Sequence, residues 1–124
     1  MALEIRKIGT KRELKKFIQF ANDLYRDCPY YCPPIFFDEM NCFDPEMNPA
    51  LEVCDYQLWM AYRDNKPVGR IAGIINHRAN EKWGFKHVRF GWFDFIDDLE
   101  VSKALLDTVA VWGKERGMDG LNGP

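Results

Sequence analysis

The sequence predicts a single α/β domain, a mixed and mostly antiparallel sheet flanked by helices. Three observations predict it. A capped amphipathic helix follows a short alternating segment, two strand-like runs meet at a turn near residue 64, and a long amphipathic helix follows a third run. At 124 residues the chain has room for one domain, and 47% hydrophobic with 15% aromatic residues is enough to build a core. Its formal net charge of -2, with Lys and Arg spread along the chain, lacks the concentrated basic face of a nucleic-acid binder.

Residues 3–8 alternate apolar and charged and predict a short edge strand that ends at Gly9. Thr10 and Glu13 then have the spacing of a capping box, in which each side chain bonds the other's backbone N–H. Leu14, Phe17, Ile18, Ala21, Leu24 and Tyr25 form one stripe, so a helix is expected to run to about Asp27. The proline-rich stretch 28–34 predicts an extended or turn-like segment. Pro34 opens a second helix expected over residues 35–43, closed by Asp44-Pro45, and a loop follows to Cys54. The aromatics of residues 30–43 either cap the core or line a substrate groove.

Residues 56–62 and 68–76 predict antiparallel strands around the turn Arg63-Asp64-Asn65-Lys66. Gly69 and Gly73 share a face of the second strand and predict a bulge or a close approach by something packed there. Residues 77–87 are polar and read as a long turn. Residues 88–96 predict a third strand, apolar on both faces like a covered central strand. Asp97 and Asp98 are N-cap candidates for a helix running to about Arg116, with Gly117 just past its end. Residues 118–124 resemble the opening of a further strand.

The first residues lack the apolar core of a secretory signal, and no apolar run approaches the roughly 20 residues needed to span a bilayer. A cytoplasmic protein with reduced cysteines and no membrane partner is the expectation. Cys28 and Cys32 could bring two thiolates together. Cys42, Cys54, His77 and His87 supply no second close pair, so no metal is expected.

The order strand, helix, helix, three antiparallel strands, helix and incipient strand resembles the first two-thirds of the GNAT acyltransferase fold. The stretch Trp59-Met-Ala-Tyr-Arg-Asp-Asn-Lys-Pro-Val-Gly-Arg-Ile-Ala-Gly-Ile-Ile75 is similar to that family's second and third strands. Residues 88–96 and the following helix occupy the places of its fourth strand and third helix. The resemblance implies one GNAT-like domain over residues 1–124, lacking the C-terminal strands and forming the front part of a longer protein.

It further implies acyl transfer from acetyl-CoA or another acyl-CoA to an amine. In the family the CoA pyrophosphate lies on backbone amides at the start of the third helix, in a glycine-containing loop. Residues 97–103 have no glycine there and carry three carboxylates, Asp97, Asp98 and Glu100. The cofactor-binding candidates are therefore Phe95 and Ile96 at the strand end, with Ser102 and Lys103 on the helix. Asp94, inside an apolar strand, is the candidate general base, since desolvation would raise its pKa. The alternative for Asp94 is an ion pair with Arg70 or Arg89. The alternative for the chain is a non-catalytic GNAT-like module without a CoA site. An unfinished sheet edge would also favour a homodimer.

Overall fold

The computed structural model describes residues 3–32, 35–44 and 46–123. Leu3–Lys7 form β1, an edge strand, and Lys11–Leu24 form α1. The capping box is complete: the Glu13 N–H donates to Thr10 Oγ1 at 3.1 Å, and the Thr10 N–H donates to Glu13 Oε1 at 3.0 Å. α1 stops at Leu24 rather than Asp27, because Tyr25 leaves helical geometry as the C-cap.

Phe36–Cys42 form α2, with Ile35 as N-cap; Pro34, expected in its first turn, lies outside the described residues. The expected loop before Cys54 contains a 3₁₀ turn at Pro49–Val53. Asn48 starts it by accepting the Ala50 N–H.

Cys54–Arg63 and Lys66–Asn76 form β2 and β3. Their turn residues Asp64 and Asn65 have φ of 53° and 63°, the left-handed pair of a tight hairpin. The expected turn over residues 77–87 is instead largely helix, with α3 at His77–Trp83. The Asn76 side chain accepts the Ala79 N–H, and Gly84 at φ 71° terminates it.

His87–Phe95 form β4, Leu99–Glu115 form α4, and Gly120–Asn122 form β5. The sheet order is β1-β2-β3-β4-β5; all neighbours are antiparallel except β4 and β5. β5 pairs only with His87–Arg89 of β4. Most of β4 is therefore half-buried, and the covered stretch of β3 is residues 68–73.

The alternation of β2 divides the core between two faces. Trp59 and Ala61 point to the α4 side, where Val101, Leu105, Val109 and Trp112 are buried at helical spacing. Leu58 and Met60 point to the α1 side, against Phe17, Ile18 and Phe43. Gly69 and Gly73 explain how closely α4 can approach. A Cβ on Gly69 would lie 2.7 Å from Leu105 Cδ1, and one on Gly73 would lie 3.2 Å from Trp112 Cε3, both on α4.

Candidate active site

Across the β3–β4 ladder Arg70 is opposite Asp94, while Ala72 is opposite Gly91. Two steps along β3 thus match three along β4, so β4 carries a bulge at Trp92 and Phe93. Trp92 has φ of 45°, a costly backbone for an aromatic residue. Bulges re-aim side chains and are common beside active sites. Neither β3 nor β5 supplies a register partner to these two residues, so the regular ladder is interrupted there.

The bulge also redistributes the faces. Asp94 and Trp92 lie on the α1 side, whereas Ile96, which simple alternation along a strand would put on the same face, packs with the α4-side cluster.

Asp94 is the centre of a bonded cluster on that face. The Arg70 guanidinium donates through Nε at 2.9 Å and lies 2.8 Å away through Nη2, both to Asp94 Oδ2. Arg70 is only 6% exposed, and its Nη1 donates to the Phe17 carbonyl at 2.9 Å. A buried guanidinium is tolerable here because its charge is paired and its donors are bonded. The choice left open between Arg70 and Arg89 is settled for Arg70.

Tyr25, at the end of α1, donates its hydroxyl to Asp94 Oδ1 at 2.6 Å. That bond, with burial and the carboxylate charge, pushes the Tyr25 pKa up to about 12, against a smaller opposing pull from Arg70. The Tyr31 ring packs 5.0 Å from the Tyr25 ring, and the Tyr31 hydroxyl donates to Asn22 Oδ1. Burial raises the Tyr31 pKa as well. Trp92 Nε1 donates to the Glu39 carboxylate of α2 at 3.3 Å, tying the bulge to that helix.

Asp94 therefore presents a carboxylate fixed from both sides. Oδ2 meets two guanidinium nitrogens and Oδ1 accepts one hydroxyl, so a lone pair of Oδ1 remains to accept. Tyr25 and Trp92 were not singled out by the sequence reading, which placed Tyr25 in a core stripe. Gly91, a glycine inside a strand, was the available signal for the bulge.

The other candidates lie along the end of β4 and the start of α4. The Phe95 ring packs 4.8 Å from that of Phe93, and the Ile96 N–H donates to the Val68 carbonyl at 3.0 Å. Ser102 Oγ donates to the Leu99 carbonyl at 3.1 Å. Lys103 Nζ makes an exposed contact with Asp107 at 3.3 Å.

Three amides of the first turn of α4, those of Glu100, Val101 and Ser102, are already taken. The Glu100 N–H donates to Asp98 Oδ1, and the Val101 and Ser102 N–H groups donate to the Asp98 carbonyl. Arg63 clamps both Asp98 and Glu100, and its bond holds the Asp98 carboxyl below the usual carboxylate range. This turn does not fit a diphosphate: bonded amides and two carboxylates stand where an anion would need free donors. Lys103 is the cation available nearby. Among the described residues no group of three or more His, Cys, Asp or Glu side chains is arranged to hold a metal ion.

No family model matches the chain. It is 35% identical to the protein YghO of Escherichia coli (strain K12) over 97% of its own length, covering 30% of that protein. It is 28% identical to the bacterial ceramide synthase of Caulobacter vibrioides over 98% of its length, covering 32% of it. The chain thus spans about a third of the relatives it matches. Among solved structures, a tandem GNAT protein from the clavulanic acid biosynthesis pathway superposes with a TM-score of 0.74 at 16% identity. The match covers 98% of this chain and 36% of that one. A predicted acetyltransferase from Clostridium acetobutylicum, solved with acetyl-CoA, gives a TM-score of 0.67 at 11% identity over 99% of this chain and 80% of that one. The chain has a GNAT-like acyl-CoA N-acyltransferase fold.

Proposed function

We propose that this chain contributes the acceptor side and the reacting strand of an N-acyltransferase, joining an acyl group from an acyl thioester to an amine. The single observation that carries the reading is a fixed carboxylate, Asp94, next to a strained bulge at Trp92 and Phe93 that interrupts the ladder. An amine must lose a proton before or as it attacks a thioester carbonyl. Asp94 is the group that accepts it, directly or through one water. Arg70 and Tyr25 hold the carboxylate in place, as positioning residues. A backbone N–H at the bulge, where the ladder is interrupted, donates to the carbonyl oxygen as it gains charge, and the thiolate leaves and takes up the proton that Asp94 or water accepted from the amine.

Phe95 and Ile96 line the strand end where the thioester arm lies. Similarity to a bacterial ceramide synthase supports a lipid amine as acceptor, since a ceramide is an N-acylated long-chain amine. The cysteines Cys28, Cys32, Cys42 and Cys54 are free thiols, which supports a reducing, cytoplasmic location. No helix among the described residues is long and apolar enough to cross a membrane.

The test is thiol release from acetyl-CoA and palmitoyl-CoA with a long-chain amine present. The expected result is amine-dependent turnover that falls about a hundredfold or more in kcat in Asp94→Asn. The second reading, a GNAT-like module that does not catalyse transfer, is favoured by the occupied amides of α4. Absence of amine-dependent release by the native chain would support it against the first.

A further inference from the structure

The α1 and α2 side of the sheet holds an open cavity of about 870 Å³, displaced along β2 from the row that contains Arg70 and Asp94. Its volume is that of a small-molecule site. Leu14 of α1, Phe36 and Met40 of α2, and Leu58 of β2 give it an apolar floor. Phe37 lines it while remaining 69% exposed, an apolar ring left to water beside an apolar hollow.

The polar groups are not spread evenly. Gln57 is already bonded, donating to the Ile8 and Leu58 carbonyls at 3.1 and 3.0 Å. Asp44 lies on the α2 side and accepts the Glu46 N–H. On the opposite rim Lys11 and Lys15, one turn apart on α1, are exposed and make no ion pair among the described residues.

We propose that this cavity binds a single-chain amphiphile with an anionic head, of the fatty-carboxylate class. The tail lies over Leu14, Met40 and Leu58, and the head meets the ammonium groups of Lys11 and Lys15. An aliphatic tail matches the apolar floor, where the Gln57 amide beside it is already bonded. The sign of the head follows from the two lysines. The proposal is independent of the acyl-transfer reading, because none of its residues belongs to the Asp94 cluster. The wall between the two sites is Phe43, which lines the cavity and packs 4.8 Å from the Trp92 ring at the bulge.

The experiment is isothermal titration of the full chain with dodecanoate below its micelle concentration. Decanoate and dodecyltrimethylammonium serve as comparisons. The expected result is saturable one-to-one binding, with dodecanoate about tenfold tighter than decanoate for its two extra methylenes. The cationic amphiphile should bind more weakly than dodecanoate. The double variant Lys11→Ala/Lys15→Ala changes only exposed side chains. It should weaken dodecanoate by about fivefold to tenfold and leave the cationic amphiphile no weaker. Phe37→Ser, also at an exposed position, should weaken both. No binding of dodecanoate, equal affinity for the two head charges, or native affinity in the double lysine variant would each overturn the proposal.

Discussion

Asp94, Arg70 and Tyr25 come from three separate elements, and their meeting has a measurable consequence outside catalysis. The Tyr25 hydroxyl keeps its proton to about pH 12 in the fold, whereas its ordinary value is 10.0. The bond to Asp94 therefore contributes its full stability below pH 10. That contribution is lost as pH rises from 10 towards 12, where the unfolded chain releases the proton and the folded chain does not. Melting temperature should fall over that window in the native protein and fall less in Tyr25→Phe. Equal alkaline slopes in the two proteins would contradict the bond. Part of this cluster was legible: Asp94 stood out as a carboxylate in an apolar strand, and Arg70 was one of two arginines able to pair with it. The choice needed the strand register, which the bulge at Trp92 shifts by one residue. Tyr25 was hidden because a tyrosine at helical spacing looks the same whether it ends in the core or on a carboxylate.

Elements were most readable where local chemistry closed them. The Thr10–Glu13 capping box, the Asp64-Asn65 hairpin and Gly117, at φ 79° just beyond α4, all act within a few residues of themselves. α3 was missed because seven residues are too few to display a helical period, although its cap residue Asn76 was in plain view. The glycines of the sheet offer a direct test of element packing. Gly69→Ala would push a methyl against Leu105 and Val101 and should cost about 1–3 kcal/mol. A Cβ on Gly91 meets nothing within 4 Å, so Gly91→Ala should be neutral or stabilise by about 0.5 kcal/mol. Urea unfolding of the two variants checks both, and similar midpoints would mean that α4 is not seated on β3 as described.

At the scale of the whole molecule, the order of elements was sufficient to indicate a GNAT-like fold, because connectivity and strand pairing are close to local properties. The cavity under α2 was not legible, since it depends on how two helices and a strand leave space between them. The sheet itself is asymmetric: Phe90–Phe95 of β4 have no partner strand on the β5 side among the described residues. The acyl-transfer reading rests on a thioester being held beside β4, and a thermal melt with and without acyl-CoA tests this most directly. A ligand present at a hundred times its Kd should stabilise the native state by about 2.7 kcal/mol and raise the transition by several degrees. A cooperative transition that stays in place at millimolar acetyl-CoA and at saturating long-chain acyl-CoA would contradict the account.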